Sequence, residues 1–202
     1  MTAASGSPGA IEAREDFLPF ERADCCLALA QEVELRSVRG EAIMTDPSDG
    51  MKSFQQELRR GSIAIQVART DPNLFVHRDA PNGPPEYRFT YVRLKGKTVT
   101  AMVIFAAQPP EDGKPYFAVG YAVPKRFQKQ GRAKDVLVAA LADMQAGLAR
   151  NGIPEFYIEA IVGADNEASR KIAEQVISDK PEAITEGNSG LPAFKYVRRV
   201  TS

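Results

Sequence analysis

The chain has 202 residues, 26 of them Lys or Arg and 26 Asp or Glu, a length that suits one domain with a substantial core. The balanced charge supplies no global field to draw nucleic acid or a membrane surface. No stretch approaches the roughly 18 apolar residues that a bilayer span requires. Met1–Asp16 lacks the apolar centre of a signal peptide, and its Ala, Ser, Gly and Pro content reads as a disordered tail. A cytoplasmic location is the resulting expectation. Residues 17–202 read as a single domain, with a helical N-terminal part over 17–83 and a sheet-rich core over 84–202.

Phe17–Arg36 has the apolar spacing of a helix. Its two adjacent cysteines, Cys25 and Cys26, cannot form an ordinary structural staple, and with His77 they give no metal-ligand spacing. No metal is expected. Gly40 and the run from Thr45 to Gly50 mark a loop, and a second helix runs from Met51 to Arg60, stopped by Gly61. Ile63, Ile65 and Val67 fit either a strand or a short helix. Leu74–His77 reads as a strand, with His77 near its edge, and Asp79–Pro85 as a loop. Tyr87–Leu94 and Thr98–Ala106 alternate around Lys95-Gly96-Lys97, a hairpin signal. Gln108–Lys114 reads as a further loop and Tyr116–Val123 as the next strand, so these three strands form an antiparallel meander.

The stretch from Gly120 to Lys134 organises the C-terminal half of the chain. Pro124 cannot donate into a ladder, so the strand stops there. A long helix over Lys134–Arg150 then buries Val136, Leu137, Ala140, Leu141, Met144 and Leu148 at helical spacing. Between them Lys125, Arg126, Lys129, Arg132 and Lys134 crowd the turn, with no acidic residue before Asp135. A helix start carries about half a positive charge, so each cation there is unfavourable by roughly 0.3–1 kcal/mol. An anion held by the free N–H groups resolves the conflict, and Gly131 lets it approach the backbone closely.

Gln128-x-x-Gly131-x-Ala133, between a strand and an amphipathic helix, resembles the acyl-CoA loop of the GNAT superfamily of N-acyltransferases. The resemblance covers about Tyr87 to Val200. It implies an α/β (α+β) fold with a mixed, mostly antiparallel twisted sheet, a splayed parallel strand pair and flanking helices. Residues 84–202 would then be the acyl-CoA-binding core and 17–83 the acceptor side. Asn151-Gly152 ends the long helix. The short strand-helix-strand passage makes Phe156–Val162 parallel to the strand before the turn. The resemblance further implies that Gln128, Lys129, Gln130, Gly131, Arg132, Ala133 and Lys134 bind the CoA pyrophosphate. Tyr121, Ala122 and Val123 would hold the pantetheine arm by their backbone. Asn166 is a natural N-cap for Ser169 in the next helix, and the resemblance adds a contact from both to the CoA arm. Phe194–Val200 is a final strand, whose exposed edge offers a surface for a homodimer.

Acyl transfer from a thioester to an amine needs proximity, a base for the ammonium, a donor to the oxyanion and a proton for the thiolate. Many members of the resembling family place a Tyr seven residues after the helix-opening Asn, and a Glu near the start of the strand before the turn. This chain has Ala173 and Phe117 there. Glu159 is the substitute candidate for the base and Tyr121 for a group at the acyl carbon. Glu111 and Asp112 could hold a cationic acceptor. The leading expectation is an acyl-CoA-dependent N-acyltransferase, with acetyl-CoA as donor and a small-molecule or protein amine as acceptor. A GNAT-like module that holds acyl-CoA without efficient turnover is the alternative. A nucleotide-phosphate binder is disfavoured, because the turn lacks the Gly-Lys-Ser/Thr of a P-loop.

Overall fold

The computed structural model describes residues 47–84, 86–187 and 189–202. The expected tail over 1–16 and helix Phe17–Arg36, with Cys25 and Cys26, lie outside the described residues.

Helix α1 runs Pro47–Arg60. Turn-forming residues suggest a loop up to Gly50, but Pro47 suits a first helical position: its missing N–H is unneeded there and its φ is preset. The helix therefore begins four residues before Met51. Gly61 ends it at φ 75°. The segment with two sequence readings becomes a two-residue strand, β1 (Gln66–Val67), paired antiparallel with β2 (Leu74–Asp79). The described part of 17–83 is thus not only helical; it adds two strands to the sheet.

The meander comes next as β3 (Arg88–Lys95), β4 (Thr98–Glu111) and β5 (Lys114–Ala122), all antiparallel. Gln108–Lys114 is not a loop. β4 continues through Pro109 and Pro110 to a tight turn at Asp112 (φ 51°) and Gly113 (φ 70°). The prolines are tolerated because β3 pairs with β4 only as far as Ala106, and a register shift interrupts the ladder to β5 between Gln108 and Glu111. No ladder hydrogen bond is demanded of them.

After β5 a short 3₁₀ turn, Lys125–Phe127, leads to α2 (Arg132–Arg150), then β6 (Glu155–Gly163), α3 (Glu167–Val176), β7 (Glu182–Thr185) and β8 (Pro192–Thr201). Gly152 caps α2 at φ 77°, with Ile153 N–H bonding to Leu148 O and Gly152 N–H to Ala149 O, which is a Schellman motif. The eight strands lie in the order β1-β2-β3-β4-β5-β6-β8-β7. The last strand is therefore not an edge: β8 sits between β6 and β7, and the short β7, which periodicity does not reveal, takes the outer position.

Alternation sorts the side chains into two layers. Ala101, Val103, Phe105, Phe117, Val119, Phe156, Ile158 and Ala160 face α2 and α3 in the larger core. Met102 and Ala122 join Met51 and Val92 in a second cluster beneath α1. Gly120, on that side, is where α1 comes closest: a Cβ there would lie 3.0 Å from the Pro47 ring.

The one parallel pair is brief. β5 and β6 pair at Tyr116–Tyr157, Phe117–Ile158 and Ala118–Glu159. Beyond them β5 stays with β4 and β6 with β8, so the sheet opens into a slit between Val119–Ala122 and the end of β6.

Candidate functional site

The slit runs towards the basic turn. Gly131 is the N-cap of α2 at φ 72°, with no side chain capping the helix. The first intrahelical bond is Asp135 N–H to Gly131 O, 3.0 Å. The N–H groups of Arg132, Ala133 and Lys134 consequently have no intrahelical acceptor, as at any uncapped helix start. Lys129 adds a second left-handed residue, φ 57°. Such a conformation is uncommon for a residue with a Cβ, and it follows an extended Gln128 (φ −68°, ψ 167°). The turn and the helix start together form a cradle of main-chain N–H groups.

Its side chains are divided. Gln128 donates from Nε2 to Val123 O at 3.0 Å, fastening the turn to the end of β5. Arg132 Nε donates to Gln130 Oε1 at 3.0 Å. Lys134 reaches across to Gln175 on α3, 3.0 Å, which joins the two helices. Asp135, in the first turn of α2, is held by Arg93 Nε at 2.9 Å, and Arg93 also pairs with Asp71 at 2.7 Å. This anchors the helix start to β3. Lys125 and Arg126 do not join the cradle; they line a pocket on the α1 side. The five clustered cations of the sequence thus serve two places.

The far bank of the slit carries Asn166, whose Oδ1 accepts from Ser169 N–H at 3.1 Å. Tyr121 spans the two banks: its hydroxyl donates to Ser169 O at 2.7 Å. Burial pushes its phenol up to about 12, so it is a protonated donor at neutral pH. The structure bears out the N-cap read from the sequence and joins Tyr121 to it.

Glu159 occupies the apex, in the last parallel pair. It lies on the opposite face from Tyr121, because it alternates with the core residues Ile158 and Ala160. Tyr116 donates its hydroxyl to Glu159 Oε2 at 2.6 Å, and Lys195 Nζ lies 3.1 Å from the same oxygen. Oε1 has no partner among the described residues. Burial, followed by the bond to Glu159, raises the Tyr116 phenol well above its ordinary range. Sequence reasoning misses Tyr116 and Lys195; alternation in β5 is the only local sign of Tyr116's direction.

Other candidates stand apart. Glu111 and Asp112 sit on the β4–β5 turn at the closed end of β5. His77 on β2 has Nδ1 2.7 Å from Ala64 O, to which it donates, and its ring meets Phe54 edge-on, a structural role. Among the described residues no group of His, Cys, Asp and Glu could hold a metal ion, and no helix is long and apolar enough to cross a membrane.

No protein-family model matches the chain, and no curated protein matches its sequence. Solved structures do resemble it. An acetyltransferase of the GNAT family from Streptococcus pneumoniae is 14% identical over 77% of this chain and 96% of its own, with a TM-score of 0.45. RimL, a ribosomal L7/L12 alpha-N-protein acetyltransferase, is 17% identical over 68% and 99%, with a TM-score of 0.46. A spermidine N-acetyltransferase SpeG chimera from Vibrio cholerae and hSSAT is 13% identical over 56% and 69%, with a TM-score of 0.42. The mostly antiparallel strand order and the brief, splaying parallel pair are what the sequence resemblance implies.

Against the GNAT pattern, Phe117 and Ala173 are both fully buried. Phe117 packs edge-on against Phe89 and Phe156, so no carboxylate is hidden at that place. Tyr121 brings a phenol from β5 to the first turn of α3, four residues before Ala173.

Proposed function

We propose that the chain is an acyl-CoA-dependent N-acyltransferase, moving an acetyl group from acetyl-CoA to a primary amine of a small molecule or a protein by direct attack in a ternary complex. The observation that carries this reading is the slit ending at an uncapped, glycine-led helix start. A slit between strands offers backbone groups to the amide-bearing pantetheine arm, and the cradle offers N–H groups to the pyrophosphate.

The remaining residues supply the proton chemistry. Glu159, beside Lys195, would accept a proton from the incoming ammonium, directly or through one water. The amine nitrogen then bonds to the thioester carbonyl carbon while the backbone near Val123 steadies the oxyanion. As the carbon–sulfur bond breaks, the Tyr121 hydroxyl donates its proton to the departing thiolate. For this step the hydroxyl gives up its hydrogen bond to Ser169 O, and the tyrosinate left behind regains a proton from solvent.

Calorimetry with acetyl-CoA, comparing wild type with Gly131→Asp, tests the cradle. The new carboxylate would stand where a phosphate is meant to go, so micromolar binding should be lost. Thioester consumption over a panel of amines then reads turnover. Binding without turnover of any amine would favour a module that holds acyl-CoA. No binding of any CoA species would overturn the proposal.

A further inference from the structure

The pocket on the α1 side of the basic turn is distinct from the cradle. Its volume is about 390 Å³, within the range of small-molecule sites. Met51 of α1, Val99 of β4 and Pro124 give it an apolar floor, and Lys52, Arg59, Lys125 and Arg126 surround that floor. Among the described residues no acidic residue lines it. The nearest acid in sequence, Asp49, pairs with Lys52 at 2.7 Å. Cations gathered from two separate elements around one concavity repel each other unless an anion shares the space. The end of α1 accounts for Arg59, since cations suit a helix C-terminus. Arg126 is compensated in part by the Phe127 ring, whereas Lys125 lies at no helix C-terminus.

The walls are also fixed in advance. Gln55 accepts from Val99 N–H at 2.7 Å and donates to Lys97 O at 2.9 Å, locking α1 to the β3–β4 hairpin across the pocket. A preformed concavity loses less freedom on binding. Arg126, which lines the pocket, stacks on the Phe127 ring at 4.7 Å, and Arg132 of the turn stacks on the same ring at 5.2 Å.

We infer that this pocket is a second anion site, which takes a small molecule carrying a phosphate monoester on a flat apolar body. The phosphate meets the four cations and the apolar body covers Met51, Val99 and Pro124. The site does not depend on the acyltransfer reading. Its ligand is a separate molecule from the one in the slit.

Naphthyl phosphate is a suitable probe, compared with naphthol and inorganic phosphate, using calorimetry and amide NMR on the full chain. Naphthyl phosphate should bind and shift the amides of Lys52, Gln55 and Val99, while each half-molecule binds at least about tenfold more weakly. Lys52→Gln combined with Arg59→Gln changes two side chains of the α1 helix and should keep the wild-type melting temperature. It should weaken naphthyl phosphate about tenfold or more and leave acetyl-CoA affinity unchanged. Gly131→Asp should leave naphthyl phosphate binding intact. Three results would overturn the site: no binding by wild type, binding equal for inorganic phosphate, or binding abolished by Gly131→Asp or by saturating CoA.

Discussion

Tyr121 and Glu159 stand on opposite faces of the sheet at the same slit, which on the proposed reading separates a proton donor from a proton acceptor. On that reading the raised phenol pKa of Tyr121 holds its proton until a thiolate forms beside it. Tyr121→Phe should lower kcat by about 10²-fold or more with little change in acetyl-CoA affinity, measured by steady-state kinetics and calorimetry. Glu159→Gln should lower kcat/KM by a comparable factor, about 10²-fold, in the same kinetic assay. If kcat/KM is unchanged, the carboxylate is not the base. The sequence places Glu159 on the second splayed strand, but not its surroundings. Tyr116 and Lys195 lie 43 and 36 residues away in the chain. Contacts at such separation leave no local periodicity to read. Asp143 shows the same limit: it is buried inside α2 and accepts from Thr70 N–H and Oγ1 at 3.0 Å and from Tyr91 at 3.3 Å. Nothing near it in sequence announces that partnership.

Among the elements, the turn before α2 is the most exactingly shaped. A Cβ at Gly131 would meet nothing within 4 Å, so the requirement for glycine is conformational rather than steric. Gly131→Ala should therefore destabilise the fold by about 1–2 kcal/mol, read by denaturant unfolding, whereas Gly131→Asn should cost less because Asn tolerates the left-handed region. Equal losses would place the cost elsewhere. This element was legible because its signals are local: Pro124 ends a strand, Gly131 opens a helix, and six apolar residues repeat at helical spacing. The hairpin at Gly96, the N-cap at Asn166 and the parallel β6 were legible for the same reason. Pro109-Pro110 and β7 were not. Whether two prolines can sit in a strand depends on where the neighbouring strand stops, and a four-residue edge strand carries too few alternations to stand out.

For the whole molecule, ionisable groups fixed between elements set the pH range of stability. Asp71 is held below the ordinary carboxylate range by the Asn73 N–H and then by Arg93. A lowered folded pKa stabilises above the unfolded value near about 4 and ceases to do so as the pH falls through the folded one. Tyr121 works in the opposite sense. Its stabilising effect is complete below the unfolded value of about 10 and is lost as the pH climbs towards about 12, and buried Tyr91 is raised in the same direction. Melting temperature should thus fall below about pH 4 and above about pH 10, with a shallower alkaline limb in Tyr121→Phe. An unchanged alkaline limb in that variant would remove Tyr121 from the account.

The slit has a consequence for selectivity that concerns hydration. Where β5 and β6 part, the main-chain groups facing the gap belong to no ladder, and each must be satisfied by solvent or by an occupant. An occupant that expels that solvent has to return its hydrogen bonds or incur the desolvation cost of the groups it covers. A hydrocarbon chain of the right width cannot do so, while a chain with amides spaced along it can. On the proposed reading the gap would select by alternation of donors and acceptors as much as by shape, and an acyl carrier lacking those amides would be excluded by unmet polarity, not by lack of room.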